Sequence, residues 1–87
     1  MDLTETATLE GVKSVVITIL GVEERADSID ASTPLLGSMP ELDSMAVVEL
    51  VAALETRFSI VVDDDEVTAE VFETLGSLAA LVDAKAR

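Results

Sequence analysis

Residues 41–50 read ELDSMAVVEL, with Ser44 directly after Asp43 and directly before an apolar, helix-forming run. A serine becomes a nucleophile when an adjacent base takes its proton. This chain of 87 residues contains no histidine and no cysteine. A Ser-His-Asp triad, an imidazole base, a histidine metal cluster and a thiolate are therefore all excluded. Lys13 and Lys85 lie near opposite ends of the chain, and neither is placed beside a serine in the sequence. An enzyme acting by itself is not expected. What Ser44 does have is its position: a helix N-terminus presents unpaired N–H groups and the positive end of the helix dipole. That field favours a phosphate ester on an exposed serine by about 0.3–1 kcal/mol. Asp43 and Ser44 are also good capping residue types, and local geometry alone leaves a purely capping role open.

Two other features invite chemistry. The acidic run Asp63-Asp64-Asp65-Glu66 raises calcium, but its spacing is wrong for an EF-hand. Counted from Asp63, the position that needs glycine is Thr68 and the one that needs glutamate is Thr74; starting one residue later gives Ala69 and Leu75. A solvated acidic turn, without metal, is expected. Among other serines, Ser38 lies in GSMPELD, where Pro40 precedes any helical pattern. Ser77 lies in LGSLAAL, inside the first turn of a helix and without a preceding aspartate. Ser44 is the expected site.

The helix that Ser44 opens carries two stripes. Val47, Leu50, Val51, Leu54 and Phe58 fall at offsets 0, 3, 4, 7 and 11, the spacing of a core-facing side of a helix that starts at Asp43 or Ser44 and runs to about Phe58. Met45, Val48 and Ala52 fall at offsets 0, 3 and 7 on a rotated face, with Glu49 and Glu55 flanking it. An apolar strip edged by acids beside a hydroxyl has the composition of a docking surface. A wider buried face, with Met45 and Val48 at the core margin, is the alternative.

The elements that must position this helix follow from the same periodicity. Leu9, Val12, Val16 and Ile19 predict a first helix over about residues 4–20, closed by Gly21. Residues 22–43 are rich in turn formers, with Pro34, Gly37 and Pro40, and form a long connection held to the core by Ile29, Leu35 and Leu36. Ser59 follows the second helix where glycine would close it with less strain. IVVDDDE is an extended piece entering an acidic turn. A short helix is expected at 68–73, with Val71 and Phe72 inward. Thr74 then caps a last helix that turns Leu75, Leu78, Leu81 and Val82 to the core, and a charged tail DAKAR ends the chain. The expected fold is all-α: three main helices plus one short helix, in one domain spanning 1–87 with a structured core of about 4–84.

Composition sets the outer limits. A chain of this size buries about 60–65% of its unfolded surface, enough for one modest core. With 49% hydrophobic residues but only 2% aromatic, that core is aliphatic. Eighteen acids against five bases give a net charge of −13. Nucleic acid and anionic membrane surfaces are poor partners for such a chain, and basic protein surfaces are good ones. The acidic start MDLTETATLEG and the short apolar stretch VVITIL predict neither export nor a membrane span, hence a cytoplasmic location. Nothing calls for oligomerisation, and a monomer is expected.

ELDSMAVVELVAALETRFSI resembles the Asp-Ser-Leu signature and second helix of acyl carrier proteins, and the resemblance extends over nearly the whole chain, through the LLG of the long loop to TLGSLAALV. It implies a small four-helix bundle of acyl-carrier type whose serine, here Ser44, is esterified by 4′-phosphopantetheine from coenzyme A, with Asp43 as the aspartate of the signature. The thiol of that arm holds acyl groups as thioesters, which supplies the thiol that a chain without cysteine lacks. The implied partners are a phosphopantetheinyl transferase and acyl-loading and acyl-transferring enzymes with basic docking patches. The family's partner-facing positions fall on Met45, Val48, Glu49, Ala52 and Glu55. Three residues depart from the pattern: Met45 replaces leucine, Ser59 replaces glycine, and Ala46 stands where many members are acidic, which alters partner contacts there. PELDSMAVVELV and VVDDDE are also similar to carriers associated with exosortase systems in exopolysaccharide loci, beside the fatty acid and polyketide carriers. The alternative is a non-catalytic acidic helical interaction module that needs no prosthetic group.

Overall fold

Apolar residues spaced three and four apart become three helices around one aliphatic core. The computed structural model describes residues 3–35 and 42–86, with side chains from residue 7 onward. Residues Leu3–Leu20 form helix α1, which buries Val12 and Val16 completely and Leu9 and Ile19 in part. Gly21 takes a φ of 68° and ends the helix. The amides of Gly21 and Val22 both donate to the Ile17 carbonyl, at 2.9 and 3.1 Å, and this closure turns Val22 into the core.

The described part of the long connection, residues 22–35, is more ordered than its composition predicts. A 3-10 helix spans Glu23–Ser28, and Ile29 and Leu35 are buried as expected. Leu36, Ser38 and Pro40 lie outside the described residues. Residues 31–35 of the connection dock on the start of the last helix. Leu35 N–H donates to Glu73 O, Leu75 N–H donates to Thr33 O, both at 3.0 Å, and Gly76 N–H donates to Ala31 O at 2.8 Å. Loop carbonyls thus satisfy helix amides that have no partner inside the helix.

Helix α2 spans Ser44–Phe58 and buries Leu50 and Leu54, with Val47, Val51 and Phe58 packed at the edge of the core. Ser59 takes the left-handed conformation at φ 56° and ends α2 without glycine, at a cost of about 1–2 kcal/mol. Beyond it burial alternates: Ile60 is buried, Val61 is exposed, and Val62 is half-buried. Asp64–Glu66 then form a 3-10 helix. At 68–73, where the sequence predicts a short helix, the chain makes only hydrogen-bonded turns, Phe72 N–H to Thr68 O and Glu73 N–H to Glu70 O, both at 3.3 Å. Phe72 is buried and Val71 half-buried there as expected. The run 67–74 mixes β-branched residues with Ala69 and Glu70, too few helix formers to extend one turn into a helix.

Helix α3 spans Leu75–Ala86. Thr74 Oγ1 accepts the Ser77 N–H and Ser77 Oγ accepts the Thr74 N–H, both at 3.0 Å, a reciprocal capping box. Leu75, Leu78 and Val82 are buried as expected. Ala79 is buried as well, and Leu81 is only half-buried. The predicted charged tail is a correction: residues 83–86 continue α3, and Asp83 is buried, accepting a hydrogen bond from buried Thr8 of α1 at 3.2 Å. Helix α1 packs on both α2 and α3. The radius of gyration, 11.8 Å, matches the value of about 12 Å expected for a folded chain of this length.

Gly76 shows how tightly the loop sits on α3. A Cβ there would lie 2.8 Å from the Ala31 carbonyl oxygen, which is itself the acceptor for the Gly76 amide. Gly76→Ala gains up to about 1 kcal/mol of helix propensity but forces about 1–3 kcal/mol of overpacking onto a backbone atom that cannot move without losing its bond. A net destabilisation of about 1–2 kcal/mol is expected in urea denaturation, opposite in sign to the usual helix glycine-to-alanine change.

Candidate functional site

Ser44 is the first residue of α2 and is exposed. The capping work is done by its neighbour. Asp43, in extended conformation, accepts the Ala46 N–H on Oδ1 at 2.8 Å, and its carbonyl accepts the Val47 N–H at 2.9 Å. The hydroxyl of Ser44 makes no hydrogen bond to any other described residue. It stands at the positive end of a 15-residue helix and is not consumed by the cap. Ser77 is the contrast: its Oγ accepts the Thr74 N–H and lies 2.7 Å from Val71 O and 2.8 Å from Thr74 O, half-buried. That hydroxyl is spent on structure.

The second stripe of α2 faces outward. Met45 is 71% and Val48 69% exposed, and Ala52 is exposed beside them, which removes the alternative of a wider buried face. Glu49 is exposed. Glu55 is half-buried, and its Oε2 accepts the Val62 N–H at 2.9 Å. Ala46 is buried against the core. Its side chain is therefore not a surface position, and an acid there would have to leave the core to reach a partner.

Sequence periodicity missed one part of the site. Val47, Val48, Val51 and Ala52 of α2 face Val62 and Val67 across a groove of about 430 Å³, with Glu55 and Asp64 at its rim. The far wall comes from the segment after α2 and the end of the 3-10 helix that follows it. The alternation of IVV already carried that signal, but a period read over three residues does not say which face has a partner. A second groove, about 640 Å³, runs between α1 and α3 past Leu9, Ala79 and Asp83 and contains none of the predicted site residues.

The acidic run 63–66 is structural. Asp63 caps the 3-10 helix in a reciprocal box with Glu66, whose Oε1 accepts the Asp63 N–H at 3.0 Å. Glu66 also pairs with Lys85 of α3. The Lys85 hydrogen bond, followed by that of the Asp63 amide, lowers the Glu66 pKa from its ordinary 4.5. A lowered folded-state value means a stabilising contribution that is present above the unfolded pKa and lost as pH falls through the folded one. Acid titration followed by amide signals of 63–67 should therefore loosen this segment at a pH below 4.5, and Glu66→Gln should flatten that dependence.

The bundle sets an unspent hydroxyl at a helix tip beside an acid-edged apolar strip. This is the arrangement of a carrier. The family profile for the phosphopantetheine attachment site matches residues 10–82, a span centred on Ser44 and its helix. The chain is 38% identical over 77 residues to an acyl carrier protein of Helicobacter hepaticus (strain ATCC 51449 / 3B1), covering 88% of this chain and 95% of that protein. A solution NMR structure of a holo acyl carrier protein from Nitrosomonas europaea superposes with a TM-score of 0.82 at 52% identity, covering 88% of this chain and 93% of that one. The chain belongs to the phosphopantetheine-attachment family. Its function is that of an acyl carrier protein with covalently bound 4′-phosphopantetheine, which serves enzymes and is not one itself.

Proposed function

We propose that Ser44 is the residue that bears the 4′-phosphopantetheine arm. The observation that carries this reading is an exposed hydroxyl at the first position of α2 that Asp43 has relieved of capping. The arm, when attached, supplies the thiol on which acyl groups are held as thioesters. The chain's own part is to hold the Ser44 oxygen in solvent at the positive end of a helix, where a phosphodiester is favoured by about 0.3–1 kcal/mol. A base of the transferase takes the hydroxyl proton, since this chain has no histidine and Asp43 is engaged in the cap. Asp43 fixes the start of the helix and so the direction of the serine. Incubating the unmodified protein with coenzyme A and a broad-specificity phosphopantetheinyl transferase tests this. One phosphopantetheinyl group should be added, at Ser44; addition elsewhere, or none, rejects it.

Docking is assigned to Met45, Val48 and Ala52 as the apolar contact, with Glu49 and Glu55 as charges that attract basic patches on the transferase and on acyl-loading and acyl-transferring enzymes. The whole is one carrier domain over 1–87, working as a monomer in the cytoplasm and away from nucleic acid. The high exposure of Met45 and Val48 and the net charge of −13 support this. Among the described residues no helix is long and apolar enough to cross a membrane. Glu49→Lys should slow association with the transferase by about threefold to tenfold at low ionic strength, and the difference should shrink as the Debye length falls to about 3 Å at 1 M salt. Stopped-flow association across a salt series reads this directly. An effect of equal size at every salt level contradicts steering.

A further inference from the structure

We propose that Glu55 is a positioning residue that fixes which valine of the segment after α2 faces the groove beside the docking strip, a role that rests on the carrier reading and goes beyond a surface charge. Three amides converge on this one residue. Its carbonyl accepts the N–H of Ser59 and, at 3.1 Å, that of Ile60, while its carboxylate Oε2 reaches over the end of the helix to accept the N–H of Val62 at 2.9 Å. Burial alternates along the segment so held, with Ile60 buried, Val61 exposed and Val62 half-buried. Val62 lines the groove, and its neighbour Val61 is 71% exposed. Buried Ile60, whose amide also bonds the Glu55 carbonyl, fixes the start of the segment. The Glu55 carboxylate fixes the position of the next inward valine, because it singles out the Val62 amide. The far end of the segment is fixed separately, by Glu66 to Lys85 of α3.

The consequence is a composite apolar surface. Val48 and Ala52 on α2, with Val62 and Val67 opposite, form the two walls of one groove, and Glu55 stands at its rim as both support and charge. A partner that binds the helix strip meets a wall whose position depends on one side-chain hydrogen bond.

Two substitutions separate the support from the charge. Glu55→Gln keeps the length and a carbonyl oxygen as acceptor but removes the charge. Glu55→Asp keeps the charge but shortens the reach by about 1.5 Å, which puts the Val62 amide beyond hydrogen-bond distance. Amide exchange of Val62, read by NMR on the unmodified protein, should accelerate about tenfold or more in Glu55→Asp and stay near the wild-type rate in Glu55→Gln. At about 0.5 M salt, where steering is screened, Glu55→Asp, which keeps the charge, should raise the KM of the transferase for the carrier about threefold with kcat unchanged. Val62 protection that survives in Glu55→Asp, or a Glu55→Gln variant that behaves like Glu55→Asp, overturns the proposal. The exchange measurement needs no modification at Ser44, so its failure is distinct from a failure of the carrier assignment.

Discussion

Ser44→Ala should leave the bundle intact and abolish loading. The hydroxyl is exposed, the cap bond to Ala46 comes from Asp43, and alanine is a good residue for a first helical turn. The stability change should therefore lie within about 0.5 kcal/mol, the ordinary range for a surface substitution. The loss of modification should be complete, because the same environment is not offered by Ser77, whose oxygen is hydrogen-bonded on several sides, nor by the core-facing positions of α2. Circular dichroism melting and intact mass on one preparation check both halves. A variant that is still modified removes Ser44 from its assigned role. Partner binding that persists in the unmodifiable variant at wild-type strength would point to a plain interaction module.

Leu54→Ala should have the largest effect on stability. Leu54 is buried at 1% exposure in the centre of the α2 core stripe, and truncation there costs about 2–5 kcal/mol, from lost transfer energy and the cavity left behind. A domain of this length has a total stability of about 4–13 kcal/mol, so the variant stands near the folding threshold. Helix α2 is also the element that carries Ser44, and its loosening should slow modification as well. Val48→Ala is the control from the opposite face. It removes a comparable aliphatic group at 69% exposure, so it should barely move the urea midpoint while weakening the docking contact. Urea denaturation of the two variants side by side distinguishes a core position from a docking position.

Much of this was legible from residue spacing. The stripes of α1 and α2 gave their boundaries because 15 to 18 residues of three-and-four periodicity outweigh local propensity, even in the β-branched VVITI. Asp43, Ser44 and the exposed strip were legible for the same reason: once a helix and its buried face are placed, the opposite face is determined. What spacing did not give was long-range pairing. Thr8 and Asp83 are 75 residues apart in sequence yet share a hydrogen bond, so a residue that reads as part of a charged tail is in fact buried. Ala46 reads as a surface variant but packs inward, because its small side chain fits where α2 begins. The turn at 68–73 failed as a helix because Thr33 and Glu73 exchange bonds across the loop with Leu75 and Leu35, so strand-like tertiary contacts take over the end of that stretch. The role of Glu55 could not be seen at all, since a carboxylate seven residues before an amide carries no periodic signal.

The most direct test of the central assignment is peptide mapping by tandem mass spectrometry of the protein isolated from its own cells. One phosphopantetheinyl group on Ser44, free or carrying an acyl thioester, is the predicted result. An unmodified Ser44 peptide, or the group on another serine, would contradict it.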